Sequence, residues 1–197
     1  DEFEGKTLIS GMTIKSGKIV SEKFNKEIGS TTFTLSNGIV VHYKFTDIEK
    51  NNVLFEADSF GGTSLLKDAD LPSASYVSTF ARMSGLGDYN ANDLKKVLAG
   101  KTVYSSIGIT DLEENISGTS TTKDFETMMQ MLHLQFVKPR FDKDSFEVLK
   151  NNLDNNLIQR NGDNGYKIAD TITTTLYGFN NPRKRKKKKK LIKEVTY

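Results

Sequence analysis

Three hydroxyl side chains in the stretch LPSASYVSTFARMSGLG, residues 71–87, stand at a spacing used by metal-binding helices. Ser75, Ser78 and Thr79 fall at i, i+3 and i+4, which on a continuous helix places them on one face. Their hydroxyls are neutral at pH 7, whereas zinc prefers imidazole, thiolate or carboxylate. Inside a helix such hydroxyls usually bond back to a carbonyl one turn earlier. The only histidines, His42 and His133, lie on different elements. A catalytic zinc site takes about three protein ligands, so both are read as structural. No Gly-x-Ser-x-Gly elbow is present for a nucleophilic serine. GLGDYN carries Asn90 where a dinucleotide loop would need its third Gly, and GGTSLLK lacks the Gly-Lys-Ser/Thr ending of a phosphate loop. Residues 161–165 lack the Glu that closes a calcium loop and read as a turn.

The elements that would carry these residues follow from apolar periodicity. Leu71, Ala74, Val77 and Ala81, flanked by Tyr76, Phe80 and Met83, predict one buried helix over 70–84, closed by Gly85 and Gly87. Strands are predicted at 32–35, 39–46, 53–59, 103–109 and 114–121, all in one sheet with that helix packed on it. The row Ile39, Val41, Tyr43 and Phe45 calls for an apolar cover. A short helix is expected over 90–100. Three more follow: one opened by a Thr121 capping box and carrying Phe125, Met128, Met129, Leu132 and Phe136; one from Asp142 with Phe146, Leu149, Leu153 and Leu157 on one face; and one after NGDNG with Ile168, Ala169, Ile172 and Leu176. Hairpins with helices grouped after them indicate an α+β domain with a mostly antiparallel sheet covered on one face.

At 197 residues the chain is one domain or slightly more, and it has no Cys. Disulfides are excluded, which leaves the compartment open. No apolar run reaches the ~20 residues of a membrane span, and the acidic opening DEFEGKTLIS does not read as a signal peptide. The net charge of +3 is unevenly spread: nine of the 28 basic residues follow Pro182, so residues 1–182 carry a net −5. That distribution argues against a nucleic-acid face on the folded body. The RKRKKKKK run could attract phosphates, or serve as a solvated linker. The expected organisation is a linker or arm over 1–30, a globular domain over 31–182, and a basic tail or linker over 183–197, with 183–190 disordered or weakly ordered through charge repulsion.

TFTLSNGIVVHYK, FGGTSLL, the buried helix, SGLGDYNANDLKKVLAGKTV, DFETMMQMLHLQFVKPRFDKDSFEVLK and TTLYGFNNPR, in that order, resemble the pitrilysin/insulinase family of zinc metallopeptidases over residues 31–183. The resemblance implies a LuxS/processing-peptidase-like fold. In that family a helix carries His-x-x-Glu-His, with a further Glu ligand on a helix downstream. The first His falls on Ser75, the base Glu on Ser78 and the second His on Thr79. The downstream position falls at or near Asn151, Asn152, Asn155 and Asn156. Every matched position is neutral, so no catalytic, cofactor-binding or metal residue is expected in this chain. Zinc is implied only for the catalytic half of a parent peptidase.

The SGLG and LAGKTV phrases look like the second, degenerate half of long bacterial members, whose two halves close around a peptide. The expected role is to wall that chamber and dock against the catalytic half, on the same chain or a partner chain, with a periplasmic or cell-envelope setting implied by resemblance. The substrate-gripping Arg and Tyr of that half belong to its last domain and are not carried over. A stand-alone scaffold or interaction subunit of a processing-peptidase-like complex is the alternative. Nucleic-acid binding through the tail is a third.

Overall fold

In the computed structural model of the chain, which describes residues 7–184 and 188–197, antiparallel pairing begins inside the segment expected to be a polar arm. Strand β1 (Ile19–Asn25) pairs with β2 (Ser30–Leu35), which pairs on its other edge with β3 (Val40–Tyr43). All seven β1 residues are exposed, so no burial on one face marks it out. A tight turn ending at Gly29 (φ 62°) joins β1 to β2, and such a local hairpin has little loop to close. Among the described residues these three strands form a sheet separate from the one that holds the later strands, which corrects the single-sheet expectation. The row Ile39, Val41, Tyr43 and Phe45 is exposed, and the strand stops before Phe45. These strands belong to one unit, Ile9–Asn52, in which Ser30 is the only buried residue.

The larger unit holds a second sheet of β4 (Asn52–Phe60), β5 (Val103–Ile109) and β6 (Glu113–Thr121), ordered β4-β6-β5. β5 and β6 form the expected hairpin, in register from Val103–Ser120 to Ile109–Glu114. Between β4 and β5 the chain makes α1 (Leu71–Ala74), α2 (Val77–Ser84) and α3 (Ala91–Val97). After β6 come α4 (Phe125–Val137), α5 (Lys143–Gly162), α6 (Asn164–Tyr177) and α7 (Lys189–Glu194). The fold class is α+β, with antiparallel pairing and helices laid on the hairpin. Starts follow local chemistry: Asn90 accepts from the amides of Asn92 and Asp93, Asp142 from Ser145, and Asp163 from Gly165 and Tyr166.

Helix α4 packs on β5 and β6 through Met128, Met131 and Leu134. Gly118 permits the close approach, since a Cβ there would stand 2.9 Å from the Met128 sulfur. Of the apolar residues that the helix carries, Phe125 and Phe136 stay exposed. Gln130 enters the buried side because its amide is satisfied, accepting from Leu8 N and donating to Glu126. At Thr121 the expected box forms with Asp124, but Asp124 also accepts from Thr102 N, and the helix starts at Phe125.

A second cluster joins Phe80, Phe146, Leu149 and Val195, flanked by Tyr76, Met83 and Leu153. The Phe80 ring lies 5.3 to 5.9 Å from those of Phe146, Phe141 and Tyr197. Residues from the expected basic tail thus complete the core. Ile192 and Val195 are buried, and the Lys150 ammonium donates to both their carbonyls, capping α7. Arg183 donates to the carbonyls of Thr63 and Leu66, and Lys184 pairs with Asp111. Of the stretch 183–190, expected to be disordered or weakly ordered, Arg183 and Lys184 make these contacts and α7 begins at Lys189; residues 185–187 lie outside the described residues.

Candidate functional site

The predicted helix over 70–84 is two pieces. α1 ends at Ala74, and Tyr76, at φ −124° and ψ 0°, leaves helical geometry before α2 begins. Ser75 sits in this turn and its hydroxyl donates to the Leu71 carbonyl at 2.9 Å, the back-bond expected of a helical serine. Ser78 and Thr79 lie beyond the turn, on α2. The break therefore separates the position matching the first ligand from the other two.

Ser78 and Thr79 line a cavity of about 310 Å³, bounded by α2, α3, β5, α4 and the segment after α4. Gly85 shapes its rim. At φ 99° it adopts a backbone that side chains avoid, and a Cβ there would stand 2.2 Å from the Tyr89 carbonyl oxygen. The charged side chains lining the cavity are Arg82 and Arg140, with no carboxylate, imidazole or thiol among them. Sequence reasoning passed over both arginines. Arg82 lies one turn beyond Ser78 and Thr79, and that spacing was the available signal.

Asn151, Asn152, Asn155 and Asn156 are exposed on α5 and line no part of this cavity. The face of α5 turned inward carries Phe146 and Leu149, against Phe80 and Tyr76. The fold does not bring the asparagines to Ser78 and Thr79. His42 bonds Thr32 through Nδ1 in the smaller unit, and His133 is half-buried on α4. Neutral hydroxyls, a broken helix and a distant amide row do not fit zinc. Among the described residues no group of three or more His, Cys, Asp or Glu is arranged to hold a metal.

Behind the turn, burial pushes the Tyr76 phenol up, and the Arg160 guanidinium partly offsets it. Arg160 pairs with the buried Asp170 and stacks 4.3 Å over Tyr166, fastening α6 to α5. The other side of α6 is exposed among the described residues: Ile168, Ile172, Leu176 and the following Phe179 are 55 to 82% exposed.

No family model matches the chain. A zinc protease PqqL-like protein of Arabidopsis thaliana is 41% identical over 83 residues, which cover 42% of this chain and 9% of that protein. The crystal structure of the periplasmic protease PqqL from Escherichia coli superposes with a TM-score of 0.76 at 20% identity, covering 98% of this chain and 21% of that one. A peptidase M16 inactive domain from Pseudomonas fluorescens superposes with a TM-score of 0.63 at 16% identity, covering 84% of this chain and 42% of that one. The chain thus spans 9% and 13% of the lengths of two curated relatives that it matches.

Proposed function

We propose that the chain, similar to zinc proteases and to a peptidase M16 inactive domain and lacking a His-x-x-Glu-His motif, completes an endopeptidase of the pitrilysin (peptidase M16) type without performing its chemistry. It walls the peptide-enclosing chamber and docks against the zinc-bearing catalytic half, on the same chain or a partner chain. A periplasmic or envelope setting follows from likeness to the E. coli neighbour alone.

The observation that carries the reading is the apolar row on α6. Ile168, Ile172 and Leu176 recur every fourth residue and stay exposed while the opposite side is fastened by Arg160 and Asp170. A continuous exposed apolar patch marks an interaction surface. The test is peptide turnover by the parent peptidase carrying Ile168→Glu and Ile172→Glu. Turnover should fall about tenfold or more with bound zinc unchanged, as loss of one or two buried anchors implies. Unchanged turnover and unchanged association of the two halves would sink the docking role. A parent reading frame without any catalytic half would favour the scaffold-subunit alternative.

A further inference from the structure

The cavity that Ser78 and Thr79 line has the character of an acceptor site for an organic acid. Arg82 and Arg140 bring two guanidinium groups to it, and none of its lining residues is acidic. Arg140 is partly engaged by Asp142 at 3.4 Å, but its Nε–H is buried and bonded to nothing among the described residues. That leaves the guanidinium only weakly neutralised, and its charge favours an anionic occupant of the cavity. The other polar groups nearby are uncharged. Ser105 already donates to Gln135 Oε1, and Ser106 bonds Ser117, so the Gln135 amide NH₂ and the hydroxyls of Ser78 and Thr79 remain for a ligand. Leu86, Leu94, Ile107 and Met131 supply apolar wall, which a small inorganic ion would leave unused. At about 310 Å³ the cavity is at the small end of ligand pockets, suited to one or two amino-acid residues.

We propose that this cavity binds a carboxylate group carried on a peptide-like body, held by the Arg82 and Arg140 guanidinium groups with Ser78, Thr79 and Gln135 as neutral donors. The fork of an arginine matches the two oxygens of a carboxylate. Ser78 and Thr79, which match the general base and the second zinc-binding His of the pitrilysin-type motif, would thereby serve recognition of an acid. The site uses this chain's own residues and stands whether or not α6 docks against a catalytic half.

The test is NMR titration of the ¹⁵N-labelled chain with four capped probes. N-acetyl-glutamate amide offers a side-chain carboxylate and N-acetyl-Ala-Ala a terminal one; N-acetyl-glutamine amide and N-acetyl-Ala-Ala amide are their neutral counterparts. At least one acid should shift the amides of Ser78, Thr79, Ser105 and Gln135 and bind about tenfold or more tightly than its neutral counterpart, as a charge-assisted bond implies. Which acid wins identifies the source of the carboxylate. Arg140→Gln should remove that preference. Arg82→Gln, at an exposed position that the fold does not depend on, should weaken it severalfold with the melting temperature unchanged. Equal binding of acid and neutral probes, shifts elsewhere only, inorganic phosphate binding as tightly as the acids, or an Arg82→Gln protein that binds as before would each overturn the proposal.

Discussion

Ser84 is 1% exposed and bonds in two directions, donating to the Phe80 carbonyl and accepting from the Asp142 amide. It ties the end of α2 to the start of α5. Removing its hydroxyl leaves the Asp142 N–H without that acceptor, so Ser84→Ala should cost about 1–3 kcal/mol in urea unfolding. A loss of a few tenths would mean that water replaces the bond. Ser75, Ser78 and Thr79 support a second expectation. The triple variant Ser75→His, Ser78→Glu, Thr79→His should gain no tight zinc site in calorimetric titration. The first position is displaced by the turn at Tyr76, and a third ligand does not face the other two. The introduced Glu beside an empty site should also lower stability. Stoichiometric tight zinc with peptide turnover would show that the helix can still assemble a centre. The neutral character of these three positions was legible in the sequence. The turn was not, because the apolar spacing of Leu71, Ala74, Val77 and Ala81 continues through it as if the helix were unbroken.

Each of two elements in the larger unit opens beside a carboxylate that the fold keeps ionised. The Thr102 amide holds the Asp124 carboxyl below its usual range, helped by the Thr121 hydroxyl, and the Ser145 amide does the same for Asp142. A carboxyl depressed in the folded state adds stability above its unfolded pKa of about 3.9, and that stability disappears as pH falls through the folded value. Acid unfolding should therefore steepen below about pH 4. Asp142→Asn keeps a competent cap and should flatten that limb while leaving stability near neutrality almost unchanged. A variant whose acid limb is identical to wild type would rule Asp142 out as a contributor. The Asp142 and Asn90 starts and the β5–β6 hairpin were readable because each rests on local chemistry. α7 was hidden by the lysine run, which masks the pair Ile192 and Val195. β1 was hidden because none of its side chains is buried, so it leaves no apolar row.

At the scale of the molecule, stability is spread unevenly. The unit over residues 9–52 has three paired strands and a single buried residue, whereas the larger unit contains both apolar clusters. Small sheets without a buried face are marginal in water. Amide hydrogen exchange should find β1 to β3 opening at little cost while α4 amides near Met128 and Leu134 exchange only through global unfolding. Equal protection in both would refute this division. The larger unit has a dependence of its own. Thr196 donates to the Ser73 hydroxyl across 123 residues of chain, and Val195 and Tyr197 meet Phe80 from nearly as far away. During synthesis on the ribosome, α1, α2 and α5 emerge long before these partners do. Their aromatic rings must wait, exposed, until residues 192–197 have left the exit tunnel, so this stretch of the nascent chain offers chaperones a sticky target in the interval.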